Sequence, residues 1–313
     1  MLSTSVVISV FNGSKYLVEQ LDSIRKQTFA PDEVLIVDDC STDGSFEQIA
    51  SYIEYHHLPW NLFRNENNRG FRANFHHLAS IASSDLIFFC DQDDIWHYQK
   101  IEISKAIMEQ DPNIDVLCSE YLIWKGKEIP ESFQFCCNSH MASTGLYPVA
   151  PHHGKPYIWL GCAMCARKSF IKAISQYWPD EWAHDECLWK MSQAANSCYI
   201  ARIPLILHRV HTANATGHKI HDKTKRMRLI EEKAVGDFCV YQFCIDNNLD
   251  KKTASFFLNS GKCENLRITL LKSNSTSKQF STALKLLRYL YYYPELKSFV
   301  MDIAIANGLK NDQ

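Results

Sequence analysis

The chain has 313 residues, 46% hydrophobic and 22% charged, which excludes a disordered or fibrous protein and allows one large domain or one domain plus an appendage. A chain of this length needs no disulfide or metal staple to bury a core, and no run approaches the roughly 20 apolar residues that span a bilayer. The formal net charge of -2 is unevenly placed: residues 219–313 hold about 16 Lys/Arg against about 10 Asp/Glu, a surplus of about +6 that leaves about -8 on residues 1–218. The acidic part is too negative to grip nucleic acid by neutralising its backbone, while the basic part suits an anionic surface.

Met1-Leu2-Ser3-Thr4 runs straight into Val6-Val7-Ile8 with no basic n-region, which reads as a buried strand and not a signal peptide. The β-branched run Thr4–Val10 ends at the turn signal Asn12-Gly13. Ser14 is expected to cap a helix carrying Leu17, Leu21 and Ile24. Val34–Val37 is a second strand, followed by Asp38-Asp39-Cys40-Ser41-Thr42-Asp43-Gly44 and a helix marked by Phe46, Ile49, Ala50 and Ile53. Trp60–Phe63 is a weaker third strand, Gly70–Ala82 a helix, and Leu86–Cys90 a fourth strand stopped by Asp91-Gln92-Asp93-Asp94. Alternating apolar strands and helices imply a parallel sheet with helices on both faces, whose ligands bind outside the carboxyl ends of the strands. Phe11-Asn12, Asp38-Asp39 and the 91–94 cluster all fall at those ends.

Residues 120–165 read as loops with a hairpin, carrying Pro130, Pro148, Pro151, Pro156 and His152-His153. Beyond about residue 220 the pattern is helical, with Leu258, Leu266, Leu270 and then Ala283, Leu284, Leu287, Leu290 at helical spacing and Pro294 as a break. The 12 cysteines are scattered and mostly apolar in context, as expected of reduced thiols in a cytosolic protein. Cys162-Ala-Met-Cys165 lacks the second pair that a zinc site would want.

Three carboxylates within four residues repel one another, and a cation would relieve that repulsion. Oxygen ligands suit Mg²⁺ or Mn²⁺, held by one or two carboxylates plus substrate phosphates. The competing reading is a solvated turn with Asp94 capping the next helix. Asp38-Asp39 could accept from a ribose hydroxyl or a pyrimidine N–H, or cap the helix that starts near Asp43. No glycine-rich phosphate loop is present, so a metal would hold the phosphates instead.

These motifs, in this order, resemble glycosyltransferase family 2, inverting enzymes of the GT-A fold. The resemblance covers about residues 3–217. It rests on Val6-Val7-Ile8-Ser9-Val10-Phe11-Asn12-Gly13, Gln27-Thr28-Phe29, Val37-Asp38-Asp39-Cys40-Ser41-Thr42-Asp43-Gly44-Ser45 and Asn67-Asn68-Arg69-Gly70. It continues through Phe89-Cys90-Asp91-Gln92-Asp93-Asp94-Ile95-Trp96, Gly161-Cys162, His184-Asp185-Glu186 and His208-Arg209-Val210-His211-Thr212-Ala213-Asn214. The Asp-Gln-Asp-Asp-Ile-Trp form is most similar to bacterial rhamnosyltransferases and their relatives in surface-polysaccharide assembly.

The resemblance implies an α/β, Rossmann-like, mostly parallel sheet flanked by helices over residues 1–217, with a C-terminal helical region over 218–313. It implies that Phe11, where the family commonly has Tyr, stacks on the base and that Asp39, with Asp38 beside it, holds base or ribose. Arg69 would approach the nucleotide or diphosphate. Asp91 and Asp93 would form the D-x-D element, with Asp93 the direct metal ligand. His211 would reach the metal or the diphosphate with help from Arg209. Asp185 matches the catalytic base, and Glu186 is its fallback; His184 reads as a packing residue. Trp159, Trp182 and Trp189 are candidates for sugar platforms or for core.

The implied reaction moves a sugar from a UDP- or dTDP-linked donor to a glycan or lipid-linked hydroxyl, with Mg²⁺ or Mn²⁺. Single displacement at the anomeric carbon inverts its configuration, and one carboxylate suffices as base. Two other classes compete. A sugar-phosphate nucleotidyltransferase would release diphosphate and usually shows an N-terminal glycine-rich loop with a basic residue, which Phe11-Asn12-Gly13-Ser14 is not. A non-catalytic nucleotide-sugar or glycan-binding module would bind donor without turnover. The basic, tyrosine-rich C-terminal helices fit peripheral contact with the inner face of a membrane, a helical cap, or a homodimer surface.

Overall fold

The structure, a computed structural model, describes residues 1–126, 128–134, 145–149, 159–211 and 222–308. It divides into two compact units. The first comprises Met1–Val149, Ile158–Ser175 and Ala183–Asn214; the second comprises Ala150–Tyr157, Gln176–Trp182 and Ala215–Gln313. Gln176–Trp182, which linear reading puts in the first domain, is therefore part of the helical unit. The expected boundary at 217/218 lies outside the described residues, as do His152, His153, Pro151 and Pro156.

In the first unit, β1 (Thr4–Val10), β2 (Glu33–Asp38), β3 (Asn61–Arg64) and β4 (Leu86–Cys90) form the expected parallel array. Val6, Val7, Ile8 and Val10 are all closed to solvent because both sheet faces are covered. Three helices fill the crossovers: α1 (Leu17–Arg25), α2 (Ser45–Tyr55) and α3 (Phe71–Ile81). Helix α1 buries Leu17, Leu21 and Ile24 as the spacing predicts. Ser14 does not cap it. The Gly13 carbonyl accepts from the Tyr16 and Leu17 N–H groups at 3.0 and 3.2 Å, and the Ser14 N–H is drawn instead to Asp43 at 3.0 Å.

Beyond β4 the sheet becomes mixed. The remaining elements are β5 (Ile95–Trp96), α4 (Lys100–Gln110), β6 (Val116–Trp124), α5 (Glu131–Gln134), β7 (Leu146–Pro148), β8 (Met164–Arg167), α6 (Lys168–Ile174), α7 (His184–Ala194) and β9 (Cys198–Arg209). Strand order is β3-β2-β1-β4-β8-β6-β9-β5, with β7 also on β9. Strand β8 runs antiparallel to both β4 and β6, while β6 and β9 are parallel. The expected hairpin around 120–165 is not formed by the described strands there, since β6 and β7 each pair with β9 and not with each other. The consequence for the site lies at β1. Its neighbours β2 and β4 lie on opposite sides, so their connections diverge and a crevice opens at the carboxyl ends.

In the second unit, α8 (Lys223–Asp246) and α9 (Lys251–Lys272) begin at Asp222 and Asp250, whose carboxylates accept from the N–H groups of Lys225 and Thr253. Helices α10 (Thr276–Leu286) and α11 (Leu296–Ala306) follow, separated by a 3-10 stretch Leu287–Tyr292 and Pro294. Leu286, Tyr293 and Phe299 pack with Cys263 and Leu270 of α9. Buried Asp302 accepts from Arg226 Nε and Arg267 Nε, each at 2.7 Å, and Arg267 also pairs with Glu264 at 2.7 Å. Trp182, 2% exposed, donates to the Glu232 carbonyl, so it is core and not a sugar platform.

Candidate active site

Three loops at the β1/β4 crevice are stitched together before any ligand is considered. Gln92 clamps the Phe11 backbone, its amide oxygen accepting the Phe11 N–H at 2.8 Å and its nitrogen donating to the Phe11 carbonyl at 3.1 Å. Gly13 lies so close that a Cβ there would fall 2.5 Å from Gln92 Oε1. Ser41 and Ser45 accept the N–H groups of Asn12 and Gly13 at 2.9 Å, joining the β1 loop to the β2 loop. Phe11 itself is left 46% exposed.

The two aspartates at the carboxyl end of β2, Asp38 within it and Asp39 just beyond, face inward. Asp38 is fully buried, with one oxygen accepting the Ser41 N–H at 3.0 Å and lying 3.6 Å from Arg64 Nε. Asp39, 1% exposed, accepts the Arg69 N–H and the Gly70 N–H at 2.8 Å and the Asn65 amide at 2.7 Å. Both carboxylates thus shape the loops that border the crevice. Arg69 contributes its backbone to Asp39 and leaves its side chain exposed.

The 91–94 cluster is held from β9. Asp93 Oδ2 lies 2.7 Å from His211 Nε2, both side chains being partly exposed. Arg209 Nε donates to the Asp93 carbonyl at 2.7 Å. Its guanidinium pairs with Glu19 and lies 4.4 Å over the Tyr16 ring and 4.3 Å over the Trp124 ring. Arg209 is buried in this sandwich and fixes the Asp93 backbone. Asp94 does not cap a helix. It is fully buried, and its Oδ1 accepts the Arg209 N–H at 3.0 Å and lies 3.1 Å from His208 Nδ1. That hydrogen bond raises the His208 pKa and closes an internal ion pair. The ligand atoms of Asp94, Cys162 and His208 lie within 4.8 Å of one another, the one such group among the described residues. Cys162 is thereby grouped with Asp94 and not with Cys165.

Asp91 is pushed well above the usual carboxylate range by burial, then by the charges of Asp94, Asp93 and Asp185. Burial and Asp94 likewise push Asp93 up, against the pull of His211. This mutual repulsion fits a divalent cation, and the hard oxygen of Asp93 and the imidazole nitrogen of His211 already converge on one point. Asp93 and His211 would hold such an ion, with Asp91 beside them.

Asp185 sits in the first turn of α7, where its Oδ1 accepts the Glu186 N–H at 2.8 Å. Burial raises its pKa, opposed by that backbone N–H and by the charge of Arg72. Glu186, the fallback base, is ion-paired to Lys190 at 2.8 Å. His184 is stacked on Phe89, centroids 4.5 Å apart, and packed on Phe75 at 4.2 Å. A Cβ on Gly161 would fall 2.1 Å from His184 Nε2, so the glycine of the 3-10 turn Gly161–Ala163 is required for this histidine to fit. Trp189 is 3% exposed and stacks on Trp159, which donates to the Ser119 carbonyl at 2.6 Å. Trp189 is core; Trp159 is partly exposed.

Sequence reasoning overlooked Arg72, Gln92 and the Tyr16/Glu19/Trp124 nest around Arg209. Arg72 carried a usable signal, lying in the first turn of the helix that follows Arg69-Gly70. The nest carried none, because its members are about 85 to 190 positions from Arg209 in sequence.

A parallel β1–β4 array meeting a mixed second half at an acidic crevice is the GT-A architecture. The Glycosyl transferase family 2 model matches residues 5–174, more than half of the chain, and the chain belongs to that family. Among curated relatives it is 27% identical over 229 residues to the dTDP-rhamnosyl transferase RfbG of Shigella flexneri, covering 71% of this chain and 78% of that one. It is 28% identical over 120 residues to the putative glycosyltransferase EpsE of Bacillus subtilis, covering 38% of this chain and 43% of EpsE. The chain thus spans less than half the length of EpsE. Among solved structures, that of Staphylococcus aureus TarS 1–349 in complex with UDP-GlcNAc aligns with a TM-score of 0.62 at 19% identity, over 98% of this chain and 83% of that one. At that identity the likeness establishes the fold.

Proposed function

We propose that this protein is a metal-dependent, inverting glycosyltransferase that moves a sugar from a UDP- or dTDP-linked donor to a hydroxyl of a glycan or lipid-linked acceptor. The setting proposed is assembly of a bacterial surface polysaccharide at the cytoplasmic face of the membrane, with residues 1–217 as the catalytic domain and 218–313 as a helical region. One observation carries the reading: Asp93 and His211 meet at the β1/β4 crevice within electrostatic reach, through Asp91, of the carboxylate Asp185. Family membership weighs against nucleotidyl transfer. No described helix is long and apolar enough to cross a membrane.

The exposed Phe11 ring is the platform for the base. Asp38 and Asp39 act by ordering the loops around it, and the Arg69-Gly70 turn held by Asp39 borders the donor. A divalent cation bound by Asp93 and His211 would supply Lewis-acid relief of the charge growing on the departing diphosphate. Arg209 acts through the Asp93 backbone as a positioning residue. Asp185 takes the proton of the acceptor hydroxyl, and its raised pKa makes it a stronger base than an ordinary aspartate. Glu186 beside it is tied to Lys190, which supports Asp185 as the base of a single displacement with inversion.

The test is a binding and turnover series with UDP- and dTDP-sugars, each with and without Mn²⁺. Asp93→Asn is expected to abolish metal-dependent donor binding and transfer, and Asp185→Asn to abolish transfer while donor binding survives. Turnover at the wild-type rate from either variant would reject the corresponding role.

A further inference from the structure

The second unit carries an apolar surface formed by none of the residues assigned above to sugar transfer. Helices α10 and α11 bury Gln279, Thr282 and Leu286 on one and Phe299, Asp302 and Ile305 on the other. Their opposite faces are apolar too. Phe280, Leu284, Leu287 and Tyr291 recur at helical spacing, and Phe280 is 67% exposed with the others about half exposed. Leu296 and Val300 on α11 are 66% and 60% exposed. Single exposed apolar residues are ordinary on a protein surface, but a spaced series is not. Its charged company is one-sided. Between residues 274 and 300 the exposed charged residues are Lys278, Lys285, Arg288 and Lys297, against Glu295 alone. Tyr291 also lines an open pocket of about 410 Å³ with Tyr292, Phe256 and the two lysines that begin α9, Lys251 and Lys252. Basic residues therefore border the apolar series within the helical unit.

We infer that this face docks on a bilayer containing anionic lipid, the apolar side chains entering the headgroup boundary and the lysines meeting lipid phosphates. A second copy of this chain is the weaker occupant, because a two-fold contact would set the same cations against one another. The inference does not depend on the sugar-transfer reading, and its test reads no transfer.

The full chain is sedimented with vesicles of phosphatidylcholine alone or mixed with phosphatidylglycerol. The expected result is binding to the mixed vesicles only, lost in high salt. Lys251→Ala and Lys252→Ala should each weaken it about fivefold, the effect of about 1 kcal/mol per basic residue near an anionic surface. Phe280→Ser/Leu284→Ser should abolish it while leaving the circular dichroism and thermal midpoint unchanged, since both residues are exposed. No binding to mixed vesicles, equal binding to both kinds, or full binding by the Phe280→Ser/Leu284→Ser protein would overturn the inference. So would a dimer, seen by sedimentation velocity, that these substitutions dissolve in a protein that ignores vesicles.

Discussion

His184 should make the first unit acid-sensitive in a way that one substitution removes. The ring is 4% exposed and packed against Phe75 and Phe89, and burial lowers its pKa from an ordinary 6.5 to about 3. The unfolded chain therefore binds this proton between pH 6.5 and 3 and the folded chain does not. The stability contributed by neutral His184 is complete above pH 6.5 and is lost as pH falls toward 3. At about 1.4 kcal/mol per pH unit, the loss is about 3 kcal/mol at pH 4.5 and about 4 kcal/mol at pH 3. His184→Leu keeps an apolar group of similar volume and removes the titration, so it should cost less than about 1.5 kcal/mol at pH 7. Below pH 6 the difference should reverse, leaving the variant the more stable by pH 4.5. Urea unfolding from pH 7 to 4.5, followed by hydrogen exchange of peptides from β4 and α7, isolates the unit that contains His184. Parallel stability curves for the two proteins across that range would refute the reasoning.

Four further outcomes are expected. Gly161→Ala sets a Cβ 2.1 Å from His184 Nε2 and must move the ring that begins α7. It should cost about 1–3 kcal/mol and, by displacing Asp185, about a hundredfold in kcat/KM; unchanged turnover would mean that Asp185 is positioned by something else. The base role proposed for Asp185 needs its ionised form, and burial raises its pKa, so transfer should rise with pH along an acid limb lying above that of an exposed aspartate. Arg72→Ala removes a cation that favours the ionised form and should push this limb higher, with activity recovering at alkaline pH; an unshifted limb counts against the pairing. Asp302→Ala removes the buried carboxylate shared by buried Arg267 and half-buried Arg226 and should lower the stability of the helical unit by about 3 kcal/mol, measured by hydrogen exchange over α9 and α11.

The parallel half of the sheet was legible because its signals are local. Continuous apolar runs mark β1, β2 and β4, helical spacing marks α1, and Asn12-Gly13 marks a turn, all of which act within a few residues. The topology rule then brought Phe11, Asp39 and the 91–94 cluster to one sheet edge, and the structure finds them there. It was the order of motifs that made Asp185 and His211 candidates, although each is an unremarked polar residue in isolation.

What a polar residue does once it arrives there is a different kind of information. Asp38, Asp39, Asp93 and Asp94 look alike along the chain, yet one is buried under Ser41, one gathers the Arg69-Gly70 turn, one meets His211 and one closes an ion pair with His208. Those assignments depend on register and on partners up to about 118 positions away, which no local period encodes. The turn to antiparallel pairing at β8, the sandwich that immobilises Arg209, and the capture of Gln176–Trp182 by the helical unit have the same origin. Periodicity and turn chemistry specify elements one at a time, whereas hydrogen bonding and burial between elements choose which of several identical carboxylates stays open to a ligand.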